Sequence, residues 1–505
     1  KDVIDTIPET LPKDVITEEG FLSRSESIRA LHFPENAEEV EEAQNRFAYE
    51  ALYAMQIEAL ERKKEWQGNT QDRLKIPMDA QLIRDFFSSL KFTPTDGQKI
   101  TIYEILQDME KSKPMSRLLE GDVGSGKTLV ATAVIAHTIT HGGQTALMVP
   151  TEVLAKQHVE SIGKVLVGFY NYCQKKGLDI QCPRIALLSG SVPKGQAREI
   201  KESIQAGNID LVIGTHSLIE DSVQFNDLKL VIVDEQHRFG VVQRNRLTSK
   251  GSPHFLSMTA TPIPRTLALT AYGHHDLSVL TEKPGNRSPI DTKVISPADR
   301  KTVELFIDNQ IGEGRQVFVI CPLISESTKE DMTEIKSVEA EFKRLQEGFS
   351  HRRITSLHGK MTPQEKENVM QDFKKNKYDI LVSTSVIEVG IDIPNSTIIV
   401  IEGSERFGLS QLHQFRGRVG RSDIKSYCFL FTTNPEQSRS PRLKAMEKHN
   451  SGFQLAEIDL KLRGPGELFG RRQSGIPEVS TLSLMNPELV VRARKAAERF
   501  IGTSS

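Results

Sequence analysis

Gly121-Asp122-Val123-Gly124-Ser125-Gly126-Lys127-Thr128 decides the fold of this 505-residue chain. The spacing fits G-x₄-G-K-[ST], the pattern of a phosphate-binding loop. Glycines let a backbone curl until several N–H groups face one anion, and the helix that follows adds the positive end of its dipole. Leu118-Leu119 precedes the loop and reads as a strand, while Thr128–Thr140 continues as an apolar helix. The alternative is a chance glycine-rich turn. On the loop reading, Gly121, Gly124 and Gly126 shape the cradle, and Lys127 reaches the β- and γ-phosphates of ATP. Thr128 then offers its hydroxyl to Mg²⁺.

Downstream, Asp234-Glu235-Gln236-His237 follows the apolar run Leu230-Val231-Ile232-Val233. Acidic residues past a buried strand also occur in ordinary turns, but paired with the loop they acquire two jobs. Asp234 is expected to hold Mg²⁺, and Glu235 to orient the attacking water and take its proton. Short β-branched runs alternate with helical stretches from about residue 85, the texture of parallel α/β structure. Strands are expected at 145–149, 184–188, 211–214, 230–233 and 255–258. The texture restarts after Pro284-Gly285-Asn286, with strands at 316–321, 354–357, 380–383, 398–401 and 427–431. The expected fold class is therefore α/β, with two tandem RecA-like lobes, an N-terminal helical linker and a C-terminal helical hairpin. The divisions fall at 1–84, 85–285, 286–440 and 441–505. Ala37–Glu65 lacks Pro and Gly, and Phe47, Ala51, Leu52, Met55 and Leu60 recur at roughly helical spacing, as in a docked amphipathic helix.

Lys and Arg number 65 against 67 Asp and Glu, a net charge of −2. That excludes a histone-like basic surface but not a local basic groove. The four cysteines form no CxxC pair, which argues against a zinc ribbon or a secreted disulfide scaffold and favours a reducing cytosol. No apolar run approaches about 20 residues, so no membrane span is expected. Lys1–Asp5 has neither an initiator Met nor a signal-peptide core, which points to a chain beginning partway into a longer protein.

Asp-Glu-Gln-His after such a strand resembles the signature of helicase superfamily 2. Phe92, Thr95 and Gln98 are similar to that superfamily's adenine-reading segment, although Gln98 also reads as a surface amide. Pro150-Thr151-Glu152 resembles its first nucleic-acid motif, and Thr259-Ala260-Thr261 the motif linking ATP to strand binding. Gln411–Arg421 places Arg416, Arg418 and Arg421 within six residues and resembles motif VI. The resemblance implies Gln414 near the γ-phosphate and Arg418 and Arg421 as arginine fingers from the second lobe; three solvated arginines on a helix are the plain alternative. Thr384–Asp392 resembles motif V, with Thr384 at the DNA backbone and Asp392 near ribose. Leu357–Met361 contributes His358, either a structural histidine or a phosphate contact.

Longer stretches narrow the resemblance. Leu119–Thr128, Ile213–Ser217, Asp234–Val241, Thr259–Leu267 and Ser385–Ile391 together resemble the RecG family of branch-migration helicases, and the transcription-repair coupling translocases share much of this text. The tail around Gly452-Phe453, Glu457, Arg463-Gly464-Pro465-Gly466 and Gln473 resembles the translocation motif of both. It implies a hairpin coupling lobe closure to movement on duplex DNA, with a plain helical cap as the alternative. Leu31-His32-Phe33-Pro34 resembles the RecG linker. The family's oligonucleotide-binding wedge has no counterpart expected here, because residues 1–30 are too few for five strands. The implied activity is ATP-dependent translocation on double-stranded DNA with remodelling of branched DNA in recombination and repair. The implied cofactors are ATP and Mg²⁺. Branched and duplex DNA and single-stranded DNA-binding protein are the implied partners, with a monomeric chain in the bacterial cytoplasm and no membrane. An RNA helicase and a non-hydrolysing nucleotide-gated DNA clamp are the competing readings. The duplex-coupling tail opposes the first, and intact Lys127, Glu235, Arg418 and Arg421 oppose the second.

Overall fold

A computed structural model describes residues 3–68, 72–235, 252–264, 268, 273–282, 285, 289–322, 330–384, 393–420, 424–463 and 486–503. Two all-parallel sheets organise it. The first contains β1 (Ser116–Gly121), β2 (Gln144–Met148), β3 (Ile185–Leu188), β4 (Leu211–Gly214), β5 (Leu228–Val233), β6 (His254–Thr259) and β7 (Asp276–Leu280). Their spatial order is β3-β4-β2-β5-β6-β1-β7. The chain leaves β1 through α6 (Lys127–Thr140) and skips two places to β2; β5 and β6 later fill the gap. The ends of β1, β6 and β5 therefore stand side by side, and at such carboxyl ends α/β sheets bind ligands.

The second sheet contains β8 (Asp291–Ile295), β9 (Gln316–Ile320), β10 (Ile354–Leu357), β11 (Ile380–Ser383), β12 (Ser396–Ile401) and β13 (Tyr427–Phe431), in the order β10-β11-β9-β12-β13-β8. Each sheet is buried on both faces. One apolar cluster runs from Phe86 and Ile102 through Leu147 to Leu256, and another from Ala146 to Phe255 on the opposite face. The second sheet has equivalent clusters around Phe318 and Val319. Burial on both faces is why these strands read as continuous apolar runs. All ten strands expected from sequence are present within two residues of their bounds. β7 and β8 escaped that reading, since Asp276–Leu280 and Asp291–Ile295 mix polar and apolar residues as edge strands do.

The helices α1 (Lys13–Glu19), α2 (Arg24–His32) and α3 (Ala37–Gln67) precede the first sheet. Asn36 caps α3 by accepting from Glu39 N–H (2.9 Å). The buried face of α3 carries Ala43, Arg46, Tyr49, Leu52, Tyr53 and Leu60, whereas the expected Phe47, Ala51 and Met55 are only half-buried. Arg46 is fully buried because Glu9 and Glu50 neutralise it and the Leu22 carbonyl accepts from its Nε (2.9 Å). α4 (Ala80–Ser89) and α5 (Asp96–Met109) join the first lobe's core through Leu82, Phe86, Ile102 and Leu106. The last helix, α15 (Pro487–Thr503), returns to the opposite end of the chain and packs Leu489, Val490 and Ala493 on Tyr49 and Leu52 of α3.

Candidate active site at the lobe interface

The phosphate loop joins β1 to α6. Gly124 and Gly126 adopt φ of 79° and 86°, left-handed backbone that a Cβ disfavours. Thr128 sits half-buried in the first turn of α6. Lys127 is buried, and its Nζ donates to the carbonyls of Gly121 (2.6 Å) and Asp122 (3.0 Å). Burial pushes its pKa down, against the upward pull of Glu235, Asp234, Asp122 and Glu120.

Beside the loop, β5 delivers Asp234 and Glu235. His158, on α7 (Glu152–Lys175), donates through Nε2 to Asp234 Oδ2 (3.0 Å), and Glu235 N–H donates to Asp234 Oδ1 (3.0 Å). Burial raises the Asp234 pKa, but His158, Lys127 and that amide together hold it below the usual carboxylate range. Glu235 behaves oppositely. Burial and the Asp234 charge raise it, with Lys127, Ala260 N–H and Arg418 pulling back. The two carboxyls are thus driven apart, as a metal-holding and a proton-accepting group require. Glu235 also has φ 52°, a backbone strain of roughly 1–3 kcal/mol in a residue with a Cβ, of the kind that clusters at functional sites.

At the end of β6, Thr259 Oγ1 and Thr261 Oγ1 share a 2.8 Å hydrogen bond, and Ala260 N–H reaches Glu235 Oε2 at 3.5 Å. Gln98 is fully buried, which removes the surface-amide alternative. Its Oε1 accepts from Thr95 N–H (3.0 Å), and its Nε2 donates to the Ser125 carbonyl of the phosphate loop (2.8 Å). Phe92 is about half exposed just ahead of α5. Thr151 caps α7 by accepting from Leu154 N–H (3.4 Å).

The second lobe closes over this edge. α12 (Leu409–Arg416) buries Gln414, and Arg418 follows it, also buried, within electrostatic reach of Glu235. Arg416 is not a solvated arginine of a surface helix. It is fully buried and donates to the carbonyls of Met446 and His449, both at 2.9 Å. Farther along the interface, Lys156 of α7 pairs with Glu367 of α11 (Pro363–Lys374) at 2.6 Å. His358 and Thr384 follow β10 and β11, whose last residues Leu357 and Ser383 are register partners, so the two stand together at one edge. His358 Nδ1 is buried with no hydrogen-bond partner among the described residues. Glu457 is exposed on α14 (Gly452–Arg463), and Arg463 ends that helix. Arg421, Gln473, Asp392 and the segments 236–241, 265–267, 385–391 and 464–467 lie outside the described residues.

Four residues of this region were missed from sequence, Glu120, Asp122, His158 and His413, and Arg416 was read only as one of three clustered arginines. Glu120 left a signal, a carboxylate in the apolar run before the loop; it is buried and accepts from Ile263 N–H. Burial raises its pKa to about 7, although that N–H and Lys127 pull it down. The others had none, because their roles come from partners far along the chain.

Three family models match in chain order: DEAD/DEAH box helicase over residues 95–270, helicase conserved C-terminal domain over 300–423, and RecG domain 3, C-terminal, over 449–504. An ATP-dependent DNA helicase RecG of Streptococcus pneumoniae is 42% identical across 97% of this chain and 71% of its own length. The chain belongs to the RecG family. The RecG of Bacillus subtilis is 41% identical over 99% of this chain and 72% of its own length, and that of Synechocystis 43% over 98% and 58%. The chain thus spans somewhat over half to nearly three quarters of these relatives. A structure of RecG bound to a three-way DNA junction superposes with TM-score 0.76 at 37% identity, covering 98% of this chain and 62% of that one. A yeast Dbp5 structure, at 15% identity and TM-score 0.52, shares the fold alone. No helix among the described residues is long and apolar enough to cross a membrane.

Proposed function

We propose that this chain is an ATP-hydrolysing motor that translocates on double-stranded DNA and remodels branched DNA, regressing forks and migrating junctions. The observation that carries the reading is that Lys127, Asp234 and Glu235 of one lobe meet Arg418 of the other at a single buried edge. Its membership of the RecG family supports DNA as the track. Lys127 and the loop amides bind the β- and γ-phosphates, Glu235 orients and deprotonates water, and Gln414, Arg418 and Arg421 steady the charge of the transferring phosphoryl group. Phe92 and Gln98 flank the adenine. Thr151, Thr259, Thr261, His358 and Thr384 form the DNA-facing set, and Glu457, Arg463 and Gln473 couple the tail; backbone contacts of this kind carry little sequence preference.

The residues present fit Mg²⁺. Thr128 and Asp234 are hard oxygen donors beside the loop, and a Mg²⁺ site of this type takes its other ligands from phosphate and water. Held by Thr128 and Asp234, the cation would offset the negative charge of the phosphates. Because loop and fingers lie on different lobes, ATP favours closure and its hydrolysis relieves it. We assign residues 1–84 to the linker, 85–285 and 286–440 to the lobes and 441–505 to the coupling tail, in a monomeric bacterial cytoplasmic enzyme that works beside single-stranded DNA-binding protein. The test is ATP turnover with forked DNA, duplex DNA, single-stranded DNA and single-stranded RNA. Forked and duplex DNA should stimulate most; strongest stimulation by RNA would overturn the proposal.

A further inference from the structure

We infer that Asp122 is a positioning residue through which the phosphate loop moves the second lobe and the C-terminal helices; the inference rests on the motor reading above. The loop pattern leaves this position open, since phosphate binding uses backbone N–H groups and Lys127. A carboxylate there is electrostatically wrong for a loop that binds anions. It needs a different reason, and its partners supply one.

Asp122 is buried, and its Oδ1 accepts from Val123 N–H (2.7 Å) and from His413 Nε2. Its Oδ2 accepts from Gly452 N–H (3.4 Å). His413 belongs to α12 of the second lobe, and Gly452 opens α14 of the tail. One side chain of the loop therefore holds both. The direction of the His413 bond follows from its other neighbour. Arg416 has only donors, and its Nη2 meets His413 Nδ1 at 2.8 Å, so Nδ1 accepts and the ring proton sits on Nε2, facing Asp122.

Packing leaves this junction no slack. A Cβ on Gly417 would meet Val123 Cβ at 2.8 Å, and one on Gly452 would meet Pro262 Cγ at 2.6 Å and His413 Nε2 at 2.7 Å. Separating a buried carboxylate from its donors strands an unpaired charge, so the partners follow Asp122 when the loop reshapes around nucleotide. Arg416 carries the displacement on to the Met446 and His449 carbonyls.

The test measures ATP hydrolysed per triplex strand displaced on one duplex. It compares the unsubstituted chain with Asp122→Asn, His413→Ala, His413→Gln and the Asp122→Asn/His413→Ala pair. Asparagine presents N–H₂ where a donor already points. Each of Asp122→Asn and His413→Ala should raise the ratio about fivefold or more, and the pair no further. His413→Gln keeps one donor and one acceptor and should stay within about twofold of the unsubstituted chain. Hydrolysis and displacement falling in parallel, additive effects in the pair, or glutamine no better than alanine would each overturn the inference. If Asp122→Asn does not fold, the two His413 variants decide. An unsubstituted chain that displaces nothing would overturn the motor reading, and this inference with it.

Discussion

Glu235 of the first lobe and Arg418 of the second lie within electrostatic reach across the lobe interface. Burial and the Asp234 charge raise the Glu235 carboxyl, and Arg418 is among the groups that pull it back. On the proposed mechanism, the group that would take water's proton therefore feels the group that would stabilise the transition state, and opening the lobes would remove that influence.

Arg418→Ala should lower the maximal ATPase rate by about 10³-fold or more, the scale of arginine fingers in related NTPases. ATP binding, assigned in the proposal mainly to the first lobe's loop, should change only a few-fold. Steady-state turnover and equilibrium nucleotide binding check this together.

Lys127→Ala should abolish turnover, whereas Glu235→Gln should bind ATP and DNA yet hydrolyse about 10²–10⁴-fold more slowly. Single-turnover kinetics distinguish the two. Normal hydrolysis by Glu235→Gln would remove Glu235 from the water-activating role.

Glu120 makes stability depend on pH. Its folded pKa of about 7 exceeds the ordinary 4.5, so the native chain holds this proton more tightly than the unfolded one. Its contribution is complete below about 4.5 and is lost as pH rises through about 7. Glu120→Gln mimics the protonated form and should stabilise the chain at pH 8 by roughly 1–3 kcal/mol. The gain should shrink as pH falls towards 5, as denaturant unfolding at the two pH values would show.

Arg416→Ala should cost roughly 2–4 kcal/mol, because it takes the guanidinium donor from the buried Met446 carbonyl and the part-buried His449 carbonyl and opens a cavity. Thermal unfolding measures it. A change under about 0.5 kcal/mol, the range of ordinary surface substitutions, would mean the guanidinium is not anchoring the tail.

The parallel lobes were legible because strands buried on both faces leave continuous apolar runs, and the phosphate loop because glycine spacing dictates its backbone. Lys127, Asp234 and Glu235 were legible for the same reason, each fixed by the strand or loop before it. Legibility ended where a role depends on a distant partner. Nothing near Asp122 announces His413 or Gly452, and nothing near Asp234 announces His158. Arg416 read as one of three arginines on a solvated helix because burial of an arginine is decided by the carbonyls that receive it. The edge strands β7 and β8 were lost to their mixed composition.

The most direct test of the motor account is triplex-strand displacement from duplex DNA, followed with ATP and with a non-hydrolysable analogue. The account predicts steady displacement with ATP and none with the analogue, and none by Lys127→Ala in either. No displacement by the unsubstituted chain despite DNA-stimulated hydrolysis, or equal displacement with the analogue, would contradict it.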